Sequence, residues 1–410
     1  GAVFGRGFSH PFLKAVASRD EDSLQQALAK LVQAEVLYRR GVEPQVQYVF
    51  KHALIQEAAY QSLLKSQRQQ YHQRIAHTFE QQVPETSTSH PELLAHHYTE
   101  AGLAAYALSY WHRAGQHAIE RSTFAEAVAY LTKGLAALNT LPETTELLAQ
   151  ELELSITLGS ALMAQKGYSA PEVEQTYARA LDLCRRLGKA PRLLQALSGL
   201  TVFYFTRAEF QTARELGDQC LSLAQNGGNP VRLLQALVVS GNVLFYAGEF
   251  RRACERFQAG FELYTPPLQG APQALQDPGL SSLCYQALSF WFLGYPEQAQ
   301  RKSDAAIALA QQLSRPLNHV LAQVLTAGLC QFRRDPLLTF KHAEMAAALA
   351  SEQDLTLWVA YAKILQGWAL VERGEGKEGL LSIHQGIAMT QDIGTAVARP
   401  WHLLMLAQSY

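Results

Sequence analysis

This 410-residue sequence has few cysteines and no long apolar run. No stretch approaches the roughly 18 uninterrupted apolar residues of a membrane helix, and the N-terminus lacks the zones of a signal peptide. We therefore expect a cytoplasmic protein with no membrane partner. The cysteines are odd in number, stand singly and form no Cys-x-x-Cys pair, so we expect buried thiols rather than a zinc or redox site. They are Cys184, Cys220, Cys254, Cys284 and Cys330.

The sequence also lacks an excess of charge of either sign. Lys and Arg number 35 and Asp and Glu number 36, which leaves no bulk attraction toward nucleic acid or an anionic surface. Hydrophobic residues make up 48% of the chain and charged residues 17%, so apolar material suffices for a core along nearly the whole chain. Partners must therefore be recognised by shape and local patches.

Motifs that carry catalysis are absent as well. The sequence contains no Gly-x-x-x-x-Gly-Lys-Ser/Thr loop, no Gly-x-Ser-x-Gly elbow, no His-Glu-x-x-His pair and no acidic metal pair of a cyclase. We predict no catalytic residue, no cofactor in this chain and no enzyme activity of its own.

Histidines cluster between His52 and His117, where eight of the thirteen fall. His72 and His77 are five apart on a predicted helix and His96 and His97 are adjacent, spacings that do not favour a shared metal. We predict a solvated polar face and no metal site.

An internal repeat decides the fold class. Segments such as Ser198–Leu223 and Ser240–Leu263 share one pattern: a helix, a short turn, an aromatic residue and a second helix. A small residue early in the second helix recurs every 39 to 46 residues, and another recurs seven residues later. The first set is Ala127, Val173, Ala213, Ala253, Ala299, Phe340 and Gly379, and the second is Gly134, Ala180, Cys220, Gly260, Ala306, Ala347 and Gly386. Glycines are expected in phase in the first helices, at Gly115, Gly159, Gly241, Gly328 and Gly367.

Small residues at fixed positions, with glycine at the turns, are what stacked helical hairpins require. The pattern resembles the tetratricopeptide repeat, although that repeat usually has a period of 34. We predict an all-α fold in which residues 86–410 form a right-handed superhelical solenoid of about seven tetratricopeptide-like units. Residues 398–410 read as the first helix of another unit, so we expect a C-terminally truncated array within a longer protein.

A proline-rich insertion between Thr265 and Gly279 interrupts the period. It is too long for a hairpin turn. Either a binding loop or a passive surface loop is compatible with it.

Residues 1–85 do not share the period and form a predicted coupling domain. We expect helices over 11–17 and 22–36, a strand pair around 40–44, and helices from His52 and Gln67. Val46, Tyr48 and Phe50 alternate with other residues as one face of a half-buried strand does. Two helices followed by a hairpin are typical of a winged helix. Its second helix is acidic, which argues against direct DNA binding.

Three stretches carry a resemblance to a family: GAVFGRGFSHPFLKAVA, LAKLVQAEVLYRRG and YVFKHALIQEAAYQSLLKSQRQQYHQRIA. They resemble the winged-helix end of bacterial STAND ATPases. The later LQGWALVERGEGKEGL and similar runs resemble the repeats of large bacterial proteins that join a class III adenylate or guanylate cyclase to such an ATPase. The resemblance implies a sensor region that controls a cyclase, with ATP and Mg in upstream domains that act as partners in cis. It also implies that His52, with Lys51 beside it, lies near the nucleotide phosphates.

Two other readings stay open. The chain is alternatively the ligand-sensing region of a LuxR-type transcription regulator, or a non-enzymatic assembly scaffold. The main expectation for a partner is a protein or peptide in the repeat groove, whereas the LuxR-type regulator would sense a small molecule. Aromatic residues near the end of each first helix either fill the seams between units or anchor that peptide; they are Phe205, Phe245, Trp291 and Phe332.

Overall fold

A computed structural model describes residues 1–17, 20–41, 46–82, 88–188, 190–265, 276–313 and 315–410. The fold is all-α apart from one small sheet, which confirms the predicted class. None of the described helices combines the length and apolar character that crossing a bilayer requires. Most of the proline-rich insertion, residues 266–275, lies outside the described residues.

Contacts divide the chain into two compact units. The N-terminal unit comprises residues 1–116 and 130–150, and the repeat unit comprises residues 117–129 and 151–410. The predicted boundary at residue 85 marks where the sequence period begins, and as a domain boundary it stays a prediction.

The N-terminal part of the chain combines short helices with three strands. The helices are α1 (His10–Val16), α2 (Glu21–Gln33), α3 (Ala53–Gln61), α4 (Lys65–Gln82) and α5 (Pro91–Glu100). The strands are β1 (Gly7–Ser9), β2 (Leu37–Arg40) and β3 (Gln47–Phe50), and a 3-10 turn at Ala2–Phe4 precedes them.

From Ala104 onward the helices come in consecutive pairs. They are α6 (Ala104–Glu120), α7 (Phe124–Leu138), α8 (Thr145–Lys166), α9 (Pro171–Leu187), α10 (Ala190–Thr206), α11 (Phe210–Asn226), α12 (Pro230–Tyr246), α13 (Phe250–Glu262), α14 (Pro278–Phe292), α15 (Pro296–Gln312), α16 (Pro316–Phe332), α17 (Pro336–Glu352), α18 (Thr356–Glu372), α19 (Gly376–Asp392) and α20 (Arg399–Gln408).

The small sheet of the N-terminal unit is antiparallel with strand order β1-β3-β2. Val46, Tyr48 and Phe50 are buried together with Leu24 and Leu28 of α2, as the alternation predicted. Strand β1 was not predicted, because three residues are too few to show a period of two and this strand depends on pairing with β3. Helix α2 ends at Gln33, three residues before the predicted end.

Proline sets the start of many helices in the repeat unit. It is the first residue of α9, α12, α14, α15, α16 and α17. Its missing N–H removes no intrahelical bond there, and its φ suits the first turn. Asp277 and Asp335 add side-chain caps, accepting bonds from Leu280 N and Leu338 N at 2.9 and 3.0 Å.

The hairpin turns share one left-handed residue, located two residues before the second helix. Glycine occupies it at Gly248, Gly294 and Gly374, with φ of 82°, 84° and 92°. Ala208 and Arg334 hold the same position with φ of 64° and 60°. The turn therefore keeps its geometry even where a side chain makes it strained.

Burial corrects the register of the predicted repeat in one hairpin. Thr339, not Phe340, is fully buried at the first small position, and Ala346, not Ala347, at the second. From Val173 onward the repeat is then 40 residues, and it lengthens to 46 only between Ala253 and Ala299, where the insertion lies. The slip arose because Thr is not a small residue by type, although it packs here as one.

The glycines of the first helices fall into three phases rather than one. Gly241 and Gly367 share a phase with Ala327, so Gly328 is one residue out of register. A Cβ at Gly241 would lie 2.5 Å from the Phe257 ring, and one at Gly367 would lie 2.5 Å from the Gly379 carbonyl oxygen. Gly159 belongs to another phase. A Cβ at Gly159 would lie 2.5 Å from the Tyr177 ring.

Candidate functional site

The repeat unit contains a half-open cavity of about 240 Å³, built mainly by the first helices of its hairpins. Helices α8, α10, α12, α14 and α18 contribute side chains, as do the residues Tyr168, Gln276 and Val397 between helices. This volume lies just below the range of about 300 Å³ and more that is usual for small-molecule pockets. The site can therefore hold a small molecule or an anchoring side chain.

Equivalent positions of successive repeats supply the cavity wall. Gln195, Gln235 and Ser281 are related by the 40- and 46-residue spacings, and Tyr361 occupies the same phase two repeats later. One helical turn later, the cavity wall contains Gly199, Val239 and Tyr285. The packing positions of the repeat thus keep small residues, while the positions that face the cavity vary in size and polarity.

Charge is absent from the described residues that line this cavity: none is Asp, Glu, Lys, Arg or His. Burial raises the pKa of Tyr246, Tyr285 and Tyr361 above the usual value, so these phenols stay protonated at neutral pH. The Tyr168 hydroxyl accepts a hydrogen bond from Gln276 Nε2 at 2.8 Å. The lining therefore offers neutral donors and acceptors on an aromatic surface.

One polar group in the lining lacks a protein partner. Asn242 Oδ1 is buried and forms no hydrogen bond with any described residue. A buried carboxamide oxygen without a partner costs on the order of 1–3 kcal/mol. Asn242 is therefore the polar group of the cavity wall that a bound N–H or O–H donor would satisfy.

The segment that joins α19 to α20 closes one edge of the cavity. Ala396 N and Val397 N both donate to the Thr206 carbonyl oxygen, at 2.8 and 3.0 Å. The Ser169 hydroxyl lies 3.0 Å from Thr206 Oγ1 and 3.2 Å from Thr395 Oγ1. The last hairpin of the repeat unit is thereby tied to residues more than 180 positions earlier in the chain.

Gly167 makes this closure possible. Its φ is 92°, and a Cβ on it would lie 2.3 Å from Ile393 Cγ2. Only glycine combines that backbone conformation with this close approach. The sequence offered no sign of this role, because Gly167 stands outside both small-residue positions of the repeat.

The four aromatic residues proposed as groove anchors lie in different surroundings. Phe205 lines the cavity and is buried. Phe245 is buried between repeats, with its ring centroid 5.4 Å from Phe250 and 5.5 Å from Tyr285. Phe332 stacks on Trp401 at 5.2 Å, and Trp291 is half-buried. Phe245, Trp291 and Phe332 do not line this cavity, and a peptide-binding role for any of the four stays a prediction.

His52 and Lys51, the predicted nucleotide-sensing pair, lie just before α3. His52 is exposed and occupies the N-cap position without a side-chain capping bond. Lys51 forms an ion pair with Glu35, and its Nζ lies 5.8 Å from the centre of the Tyr38 ring. Of the two, His52 is the side chain presented to solvent, and its contact with a nucleotide stays a prediction.

The prediction that the histidine-rich region is a solvated face was wrong for part of it. His72 and His97 are buried, with 2% and 6% of their surface exposed. Spacing along the chain misled here because the two residues come from different helices, α4 and α5, and meet only through packing.

Comparisons with known proteins support the fold and leave the family open. No protein-family model matches the chain. An uncharacterized protein of Rhizobium meliloti (strain 1021) is 24% identical over 415 residues, covering 99% of this chain. The chain spans about 40% of the length of that curated relative.

The solved structures with a similar fold include a gene regulator in complex with a peptide and a quorum sensor. The Rap conjugation gene regulator of plasmid pLS20, in complex with a Phr peptide, has a TM-score of 0.55 at 13% identity and covers 83% of this chain and 90% of its own. The apo form of the quorum sensor NprR from B. thuringiensis has a TM-score of 0.54 at 12% identity, with 93% and 97% covered. At these identities the likeness establishes the helical-repeat fold alone.

A STAND protein with a tetratricopeptide repeat sensor from Pyrococcus horikoshii also matches, at 11% identity over 93% of this chain and 64% of its own. Its TM-score is 0.42. The connection to an ATPase consequently stays a prediction from sequence resemblance.

Proposed function

We propose that this chain is the sensor and interaction region of a regulatory protein, and that its repeat unit binds an uncharged ligand group in the cavity beside Asn242. The observation that carries this proposal is a half-open, charge-free cavity whose wall contains a carboxamide oxygen without a hydrogen-bond partner. Most buried polar groups in folded proteins have a hydrogen-bond partner, so an unpartnered one in a cavity wall points to a ligand. A ligand that donates a hydrogen bond to Asn242 Oδ1 recovers that cost on binding.

The ligand class follows from the lining. A charged side chain or chain terminus would be desolvated in this cavity without a counter-charge among the described lining residues, which is unfavourable by several kcal/mol. The neutral phenols and carboxamides instead suit a neutral peptide segment or an uncharged small molecule. The peptide complexes formed by helical-repeat regulators such as Rap support a peptide as the first candidate.

The more specific form of the proposal concerns output. We propose that residues 1–85 act as a winged helix that couples ligand binding to an upstream ATPase, which in turn controls a class III nucleotide cyclase. Support comes from the sequence resemblance, from the order α1, α2 and β2-β3 hairpin, and from the exposed position of His52 at the start of α3. ATP and Mg would then be bound by upstream domains rather than by this chain.

The alternatives differ in what the intact protein does on binding. A LuxR-type regulator would change its affinity for DNA, whereas an assembly scaffold would change neither DNA binding nor ATP turnover. Measuring ATP turnover, cyclic-nucleotide synthesis and DNA affinity of the full-length protein with and without a repeat ligand separates the three readings.

Selection of random peptides displayed on phage tests the binding proposal directly. The immobilised 410-residue chain is expected to enrich peptides with an uncharged anchor. Asn242→Leu removes the carboxamide and keeps the number of heavy atoms and the branching of the side chain, and Val202→Phe fills part of the cavity that Val202 lines. Each is expected to weaken the selected peptides at least tenfold.

Asn226→Leu is the matched control, because Asn226 is exposed at the end of α11. It should leave the affinity of the selected peptides unchanged. Peptides that bind Asn242→Leu and Val202→Phe as tightly as the unaltered chain would show that the cavity is not the binding site.

A further inference from the structure

Three histidine rings come together between α4 and α5 in the N-terminal unit. One ring nitrogen each of His72, His96 and His97 lies within 4.8 Å of the others. The ring centroids are 5.0 Å apart for His72 and His97, 5.7 Å for His72 and His96, and 5.4 Å for His96 and His97. Helix α4 contributes the first residue and α5 contributes the other two.

The two buried rings face each other through the same type of atom. His72 Nδ1 and His97 Nδ1 are 2.8 Å apart, so without an ion one carries a proton and donates it to the other. The ring that accepts this hydrogen bond is neutral, and a neutral imidazole is the form that binds metal ions.

The second nitrogen of His72 is already oriented. His72 Nε2 lies 3.0 Å from the hydroxyl of Tyr60 on α3. If Nδ1 binds a metal ion, Nε2 carries the proton and donates it to Tyr60 Oη. Such an outer hydrogen bond fixes the tautomer and the plane of the ring in metal sites.

His96 supplies an open side to the cluster. It is exposed, whereas His72 and His97 are buried. Glu100 follows one helical turn later and acts on His96 as a negative charge, while Lys133 acts on His96 and Arg68 on His72 as positive charges. An ion can thus reach the nitrogens from the side of His96 and Glu100.

We propose that His72, His96 and His97 form a binding site for a late first-row transition-metal ion, with Zn²⁺ as the representative. Three imidazoles with an open fourth position form a zinc ligand set, and imidazole also suits Ni²⁺ and Cu²⁺. With Zn–N bonds of about 2.1 Å, tetrahedral ligand nitrogens lie about 3.4 Å apart. Nδ1 of His72 and Nδ1 of His97 must separate slightly, and the exposed side chain of His96 must turn inward.

The bound ion would link α4 to α5 within the N-terminal unit. It would replace the hydrogen bond between His72 and His97 by two metal bonds and draw the surface residue His96 into the same contact. Metal binding is therefore expected to stabilise this unit and to leave the repeat cavity unaffected.

Zinc titration of the full chain, stripped of metal beforehand, tests the proposal. Competition with a chromogenic zinc chelator should show one tight Zn²⁺ per chain, and His96→Ala should weaken that binding at least tenfold. Since His96 is exposed, this variant is expected to fold normally. Co²⁺ in place of Zn²⁺ should give the intense visible absorption of a four-coordinate site, and His96→Ala should lose it.

His90→Ala is the matched control, because His90 is exposed just before the same helix and pairs with Glu92 outside the cluster. It should bind zinc like the unaltered chain. Three outcomes would each overturn the proposal and leave a hydrogen-bonded histidine pair. They are equal zinc affinity in the unaltered chain and His96→Ala, a loss of zinc affinity in His90→Ala as large as in His96→Ala, and no tight zinc binding by the unaltered chain.

Discussion

The two units of this chain treat their buried polar groups differently. In the N-terminal unit, Glu80 accepts hydrogen bonds from the hydroxyls of both Tyr98 and Tyr110, and the rings of His72 and His97 pair with each other. Two buried atoms of the N-terminal unit that lack a hydrogen bond, His10 Nε2 and Glu21 Oε2, form ion pairs instead. In the described part of the repeat unit, five buried polar atoms have no hydrogen-bond partner. They are Gln165 Oε1, Asn242 Oδ1, Gln286 Oε1, Trp368 Nε1 and His402 Nε2.

The contrast concerns how buried polar groups affect the stability of each unit. Paired polar groups specify one packing arrangement, whereas unpaired ones cost stability unless a ligand or solvent meets them. Asn242, one of the unpaired groups, lies in the cavity wall. The unpaired group in the cavity wall is the one that the proposed ligand would meet, whereas the paired groups of the N-terminal unit specify its packing.

Core truncation should produce the largest effects and show whether the two units respond independently. Phe257 is fully buried and stacks on Tyr285, and Phe8 belongs to the core cluster of the N-terminal unit. Phe257→Ala and Phe8→Ala should each cost about 3–5 kcal/mol. By hydrogen exchange, Phe257→Ala should expose amides of α12, α13 and their neighbouring helices, and Phe8→Ala those of residues 1–50.

A uniform loss of amide protection along the chain in both variants would contradict the contrast between the units, because it would mean that they unfold together. Amide protection lost only near each substitution would show that each unit unfolds by itself.

Closure of the repeat unit is tested by Gly167→Ala. The added Cβ adopts an unfavourable backbone conformation and collides with Ile393, so we expect a loss of about 2–4 kcal/mol and faster amide exchange at Ala396 and Val397. Gly374→Ala is the matched control: its φ is also 92°, but no atom lies within 4 Å of the new Cβ. It should cost only the backbone strain, about 1–2 kcal/mol. Equal urea midpoints for the two variants would mean that the contact with Ile393 adds nothing.

His402 makes the stability of the repeat unit depend on pH. Burial lowers its pKa to about 4, so between pH 6.5 and 4 the unfolded chain binds a proton that the folded chain excludes. The contribution of His402 to the free energy of unfolding should fall by about 2 kcal/mol from pH 7 to pH 5. His402→Phe keeps an aromatic ring against Tyr361, whose centroid is 5.0 Å away, and should remove that part of the decline in urea titrations. An identical pH profile for both proteins would contradict the assignment.

Removing single polar groups should have opposite signs in the two units. Tyr98→Phe deletes a donor to Glu80 and should destabilise the chain by about 1–3 kcal/mol. Asn242→Leu removes an unpaired buried acceptor and should raise the free energy of unfolding by about 1 kcal/mol while it abolishes ligand binding. Thermal and urea unfolding measure both. Destabilisation by Asn242→Leu as large as that by Tyr98→Phe would show that Asn242 is a structural group.

Much of the fold could be predicted because the same packing requirement recurs in each hairpin. Ala213, Ala253 and Ala299 are completely buried where two helices approach, and the need for a small side chain there marks each hairpin in the sequence. The register failed at Phe340 because Thr339 satisfies the same packing requirement with a different residue type. In the N-terminal unit the alternation of Val46, Tyr48 and Phe50 identified one strand, since a period of two is visible within a strand of four residues.

The sequence alone determined the paired helices, their small contact positions and the absence of familiar catalytic motifs, because each follows from residues a few positions apart. The tertiary structure decided the cavity and its closure, since Gly167 meets Ile393, and Thr206 meets Ala396, across most of the repeat unit. It also decided the meeting of His72 with His96 and His97, which depends on how α4 packs on α5. Contacts between distant segments leave no period in the sequence, and for that reason the candidate sites emerged only from the folded chain.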